Sequence, residues 1–138
     1  MEMEDVQYAV ICVDDDPYIL QMLSFQLSKI VDSRYTLLEY YTKPEEVMMN
    51  IEELVKDNIK IIFALVDFQM PTMSGADLIK EIKASYPDLT CVMLSGQANK
   101  KSLNELKKQQ LLDNFIPKPW DEEVLFEIIR PILLESAL

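Results

Sequence analysis

Short, unbroken apolar runs alternate along this chain with longer segments whose apolar residues recur every three or four positions. No other feature constrains the fold as strongly. YAVICV (8–13), IIFALV (61–66) and TCVMLS (90–95) are continuous apolar runs of strand length. Runs without polar alternation suit strands covered on both faces of a parallel sheet. YTLLEYY (35–41) is rich in aromatics and reads as an edge strand, and NFIPK (114–118) is a short fifth candidate.

Helical periodicity fills the intervals. Leu20, Leu23, Leu27 and Ile30 keep three- and four-residue spacing after Pro17, as one buried stripe of a helix requires. Val47, Ile51, Leu54 and Val55 mark a second helix, and TKPE (42–45) before it has the capping-box order of Thr and then Glu three residues later. Leu78, Ile79, Ile82 and Tyr86 mark a third, opened by SGAD (74–77). Leu103 and Leu106 mark a fourth, mostly polar one, and Val124, Leu125, Ile128 and Ile129 a fifth. Pro131 interrupts the last pattern, because a proline inside a helix loses a hydrogen bond and clashes with the preceding turn. PILLESAL (131–138) therefore reads as a kinked continuation or as the start of another element. Five successive β-α units predict an α/β fold, a parallel sheet with helices on both faces and right-handed crossovers. The 138 residues fit a single domain, 1–138, with a core over about 6–130 and 131–138 as linker or tail.

Composition narrows the chemistry by exclusion. There is no histidine, which removes Ser-His-Asp and Cys-His catalysis and histidine-based zinc or haem sites from this chain. The only glycines are Gly75 and Gly96, too few for a phosphate-binding loop or a dinucleotide turn. The net charge of −11 argues against direct contact with nucleic acid, which demands clustered Lys and Arg. Cys12 and Cys91 each lie in an apolar run and read as small buried hydrophobes in a reducing compartment. The apolar runs are far too short for a membrane span, and the acidic start MEMEDVQ lacks the basic opening of a secretory signal. The expected location is cytoplasmic.

The remaining polar signals gather where the strands end. In open α/β sheets, ligands bind beyond the carboxyl ends of the strands. Asp14, Asp15 and Asp16 follow the first run, Asp67 the third, Ser95 closes the fourth, and Lys118 lies at the fifth. If the strands are parallel and adjacent, these groups meet at one rim. Clustered carboxylates repel unless a cation joins them, and a hard divalent cation such as Mg2+ prefers such oxygens. Lys supplies a compact positive charge and Ser95 a hydroxyl. Together they are the parts for phosphoryl transfer onto a carboxylate. Asp16 before Pro17 is most simply a helix N-cap followed by proline at the first helical position. Each of the other residues alone could be a solvated cap or a surface side chain. Four strand ends with complementary groups make that reading poor.

The motifs VDDDP (13–17), LVDFQMPTMSG (65–75), VMLSGQA (92–98) and FIPKPW (115–120) resemble, in order and spacing, the receiver domain of two-component response regulators. The resemblance covers residues 6–130. It implies a doubly wound, flavodoxin-like (βα)5 fold of five strands in the order 2-1-3-4-5. It further implies that Asp67 accepts a phosphoryl group from a sensor histidine kinase or phosphotransfer protein. Asp14, Asp15, Asp67 and the Gln69 backbone carbonyl would hold Mg2+ (or Mn2+), and Lys118 would contact the phosphoryl group. Ser95 and Phe115 would form the switch, the Lys118–Pro119 bond would be cis, and Gln69 and Gln97 would tune phosphate lifetime. Ser95 stands where many relatives have Thr, and Phe115 where Tyr is common.

Such a domain is a signalling phosphoacceptor and not an enzyme in the usual sense. An output domain beyond the C-terminus, for which SGQA and KPWDEE suggest a cyclase or cyclic-nucleotide phosphodiesterase, and a homodimer through the helix 4–strand 5–helix 5 face are the partners left open. Two other readings compete: a receiver-like adaptor that is never phosphorylated, and an aspartate-nucleophile phosphatase using Asp14 and Asp16. The second leaves Asp67 unexplained and lacks a cap insertion.

Overall fold

The computed structural model describes residues 5–96 and 100–136. Its strands are β1 (Tyr8–Val13), β2 (Thr36–Tyr41), β3 (Lys60–Asp67), β4 (Thr90–Ser95) and β5 (Asn114–Pro117). Its helices are α1 (Pro17–Leu27), α2 (Val47–Lys56), α3 (Gly75–Ser85), α4 (Lys100–Lys108) and α5 (Glu122–Ser136). All pairings are parallel and the order is β2-β1-β3-β4-β5. The predicted fold class and strand order are therefore observed.

The unbroken apolar runs have their explanation in two cores, one on each face of the sheet. Side chains alternate across a strand, so Ala9, Ile11, Val13, Ala64, Val66 and Met93 pack against Val47, Ile51, Leu78, Ile79, Ile82 and Leu106 of α2, α3 and α4. Val10, Cys12, Phe63, Leu65, Val92 and Ile116 face the other way, onto Leu20, Leu23, Leu27, Leu125 and Ile129 of α1 and α5. A fully buried leucine such as Leu23 contributes roughly 1.5–3 kcal/mol through its removal from water. β2 is the edge strand the aromatics suggested, and most of it is half-buried. Burial pushes the Cys12 thiol well up and the Cys91 thiol up to about 12. Both behave as the small hydrophobes expected of them.

Local chemistry sets the helix ends. Asp16 caps α1 by accepting from the Tyr18 amide at 2.9 Å, with Pro17 at the first helical position. Ser74 caps α3 through the Asp77 amide at 3.1 Å. The capping box of TKPE does not form. Lys43, held extended at φ −117° and ψ 112° as residues before proline are, starts a 3-10 turn over Pro44–Glu46 with no side-chain cap. The Glu45 carboxylate accepts instead from the Thr72 hydroxyl in the β3–α3 loop. Ile30 lies beyond the end of α1, and Val55 is exposed while Leu54 packs inward.

Asn58 and Gln110 take left-handed φ values of 62° and 60°. Ile59 donates to the Leu54 carbonyl and Asn58 to that of Val55. Leu111 and Gln110 repeat the pattern onto Leu106 and Lys107. Both are Schellman closures, which usually take glycine. Pro131 does not end α5, which runs on to Ser136 because Ile132 and Leu133 pack on the α1–α5 face of the sheet. Among the described residues no helix is long and apolar enough to cross a membrane.

Candidate functional site

The sheet order brings the sequence-predicted residues to one rim. Val13 pairs with Val66, so Asp14, just past β1, lies beside Asp67, the last residue of β3. Asp67 pairs with Leu94 and Ser95 with Pro117, which places Ser95 and then Lys118 next along the same edge. The Lys118 amide donates to the Ser95 carbonyl at 2.9 Å, and the Lys118–Pro119 bond is cis.

The side chains then close on one another. Lys118 Nζ donates to Asp67 Oδ1 at 2.6 Å and to Asp14 Oδ2 at 3.2 Å. The other Asp14 oxygen accepts from the Asp16 amide at 2.9 Å, so the turn that starts α1 also orients Asp14. Asp14 and Asp67 are 1% and 5% exposed, whereas Asp15 faces solvent. Carboxylate oxygens of Asp14, Asp15 and Asp67 all lie within 4.8 Å of one another.

Burial is costly for these charges. It pushes the Asp14 carboxyl up to about 6; the Asp16 amide opposes the rise, the Asp67 charge adds to it, and Lys118 opposes it. Burial likewise raises Asp67 against the hydrogen bond and charge of Lys118. For Lys118 burial acts against the ammonium, yet the hydrogen bond to Asp67 and the two carboxylate charges outweigh it and the pKa is raised. Three carboxylates against one ammonium leave an excess of two negative charges. A donor set of clustered, partly buried carboxylate oxygens with unneutralised charge fits a hard divalent cation.

Ser95 is buried, and its hydroxyl donates to the Gly96 carbonyl at 3.1 Å. Phe115 is half-buried on β5, with Lys107 Nζ of α4 at 4.7 Å from its ring centroid. Gln69 is exposed in the β3–α3 loop. Gln97 lies outside the described residues.

Two pairings near this framework escaped sequence reasoning. Trp120 Nε1 donates to Gln26 Oε1 at 3.0 Å. The available signal was a glutamine inside the buried stripe of α1, between Leu23 and Leu27. Lys83, with a side chain only 8% exposed, pairs with Asp113 at 2.9 Å, and the same Asp113 oxygen accepts from the Cys91 amide at 2.8 Å. That pair ties α3 to the starts of β4 and β5, away from the acidic rim, and nothing in the local sequence pattern announces it.

The fold and the rim define a class of protein, and comparison with known proteins agrees. The family model for the response regulator receiver domain matches residues 10–130. This chain belongs to that family, the receiver domains of two-component signalling systems. Among curated proteins it is 23% identical over 136 residues to the hydrogenase transcriptional regulatory protein HoxA of Cupriavidus necator, covering 99% of this chain and 26% of that protein. It is 27% identical over 116 residues to the probable C4-dicarboxylate response regulator DctR of Halalkalibacterium halodurans, covering 84% of this chain and 47% of that one. The chain thus spans about a quarter to a half of the length of these relatives. A CheY-like response regulator receiver domain protein from Methanospirillum hungatei superposes with a TM-score of 0.77 at 25% identity, covering 95% of this chain and 97% of that one.

Proposed function

We propose that this receiver domain is a phosphoacceptor switch in which Asp67 takes the phosphoryl group. The observation that carries this reading is Lys118 Nζ bridging Asp67 at 2.6 Å and Asp14 at 3.2 Å, with Asp15 in the same carboxylate cluster. An Asp67 carboxylate oxygen attacks phosphorus of a partner's phosphohistidine. The new P–O bond forms as the P–N bond breaks, and the electron pair of that bond stays on the imidazole. Lys118 turns its ammonium to the transferred oxygens and balances their charge.

The residues proposed to hold a divalent cation are Asp14, Asp15, Asp67 and the Gln69 carbonyl. Bound Mg2+ or Mn2+ would neutralise charge developing on the phosphoryl oxygens. Gln69 and Gln97 would set how easily water reaches the acyl phosphate.

A phosphoryl group adds about −1.5 to −2 charge and three acceptor oxygens. The Ser95 hydroxyl, which now satisfies itself on the Gly96 carbonyl, would exchange that bond for one to the phosphoryl group. Phe115 would then turn into the space beside it, changing the surface formed by α4, β5 and α5. Moving the population from almost all inactive to almost all active needs a bias of about 5.5 kcal/mol between the two states. A sensor histidine kinase or phosphotransfer protein is the proposed donor. An output domain or a second receiver is the proposed reader of the α4–β5–α5 surface.

Intact mass after incubation with acetyl phosphate and Mg2+ tests the reading, beside an Asp67→Asn control. One added phosphoryl mass, lost in the control and without Mg2+, is the expected result. Absence of the gain together with no binding of beryllofluoride would replace it by the unphosphorylated adaptor. Steady turnover of a phosphate ester would point instead to the phosphatase.

A further inference from the structure

We infer that Trp120 and Gln26 position Lys118: the partly buried hydrogen bond between them fixes the turn that carries the lysine against α1. The inference rests on the reading of Lys118 given above and names residues that this reading does not use.

A lysine side chain is long and flexible, so where Nζ stands depends on how firmly its backbone is held. On the β4 side the backbone is held by the Lys118 amide on the Ser95 carbonyl at 2.9 Å. Beyond Lys118 the chain leaves the sheet through an exposed Pro119. The next side chain, Trp120, is the sole tryptophan of the sequence and packs against the core shared by α1 and α5. Its indole N–H donates to Gln26 Oε1 at 3.0 Å.

Gln26 is 9% exposed on the face of α1 that carries the fully buried Leu23 and Leu27. An amide there costs desolvation energy unless it is hydrogen-bonded, and a leucine would serve packing alone as well. Among the described residues, the Trp120 indole is the hydrogen-bond partner found for this side chain. The contact therefore supplies direction as well as burial. At the surface of the same seam Lys29 pairs with Glu122 at 2.6 Å. That pair is half-exposed and contributes little, which leaves the partly buried Trp120–Gln26 bond as the firmer tie between α1 and the turn.

The test uses Gln26→Leu and Trp120→Phe in the full chain, each deleting one partner. Gln26→Leu roughly keeps the volume, whereas Trp120→Phe keeps an aromatic ring but gives up the N–H donor and part of the volume. With acetyl phosphate and Mg2+, either variant is expected to take the phosphoryl group roughly tenfold more slowly, as a misplaced catalytic cation would, with Mg2+ affinity unchanged. In a Lys118→Ala background the same substitutions are expected to have no further effect. Equal slowing with and without Lys118 would overturn the inference, as would full-rate phosphorylation of a folded variant. A second readout needs no phosphoryl transfer: the crystal structure of either variant should show Lys118 Nζ displaced from Asp67, against 2.6 Å here. An undisplaced lysine would sink the positioning role even if the parent protein were never phosphorylated, so the two failures remain distinct.

Discussion

Gly75 lies directly against the backbone of Asp67: a Cβ on Gly75 would stand 2.1 Å from the Asp67 carbonyl oxygen and 2.9 Å from its carbon. The Gly75 amide also donates to the Phe68 carbonyl at 2.8 Å, so α3 begins pressed onto the strand end that presents Asp67. Gly75→Ala must force these backbones apart and should cost about 1–3 kcal/mol in urea unfolding, with slower phosphoryl uptake. Gly96→Ala, where a Cβ meets nothing within 4 Å, is the control and should stay within about 0.5 kcal/mol. Equal stabilities for the two variants would refute the packing argument.

Lys118→Ala removes the cation that Asp14 and Asp67 share. Breaking a fully buried pair costs about 3–5 kcal/mol. Because the Lys118 side chain is 28% exposed, solvent screening reduces the expected loss to about 1–2 kcal/mol without divalent cation. Excess Mg2+ should restore much of it by replacing the missing positive charge. Chemical denaturation with and without Mg2+ measures this, and an identical deficit in both conditions would argue against a shared cation site.

The Asp14 carboxyl titrates near 3.8 when unperturbed and is pushed up to about 6 in the fold. The native state thus holds more protons than the unfolded chain between those values. Stability of the cation-free protein is helped by protonated Asp14 below the lower value, and that help is lost as pH rises through about 6. Divalent binding has the opposite sign, because the ligand must be ionised. The Mg2+-induced rise in Tm should therefore be small at about pH 5 and large at about pH 7.5. Thermal melts at the two pH values decide the matter; the same rise at both would be the contrary result.

Gln110 closes α4 at φ 60°, a conformation that costs a residue with a side chain about 1 kcal/mol relative to glycine. Gln110→Gly should raise the urea midpoint by the equivalent of about 0.5–1 kcal/mol, offset in part by the freer unfolded chain. Asn58→Gly at the matching end of α2, φ 62°, should gain less, since asparagine tolerates this region. A loss of stability in Gln110→Gly would show that the glutamine side chain has a further role.

Much of the architecture was readable from hydrophobic pattern alone. YAVICV and TCVMLS correspond residue for residue to β1 and β4, because a strand buried on both faces needs an unbroken apolar run. Asp16 and Pro17 start α1 as their local chemistry dictates. The pattern failed where a competing interaction won. Thr42 and Glu45 have capping-box spacing, but Pro44 forces Lys43 extended and Glu45 finds Thr72, 27 residues away. Pro131 leaves a kinked continuation and a new element both open, and the helix continues because Ile132 and Leu133 pack beside the α1–α5 core. Neither partner is near in sequence, so no local rule could weigh it.

By itself the sequence determined the five β-α units, the acids, hydroxyl and lysine at their ends, and the scarcity of glycine and absence of histidine that close off other chemistries. These follow from side-chain period and residue type, which are local properties. Folding decided how those ends meet: Lys118 between Asp14 and Asp67, more than fifty residues from the nearer one. It also decided that Gln26 would receive the indole of Trp120, 94 residues on, and that the buried Lys83 side chain would pair with Asp113. Such contacts depend on which strands become neighbours and how far each turn reaches, and those distances exist only once the sheet has assembled.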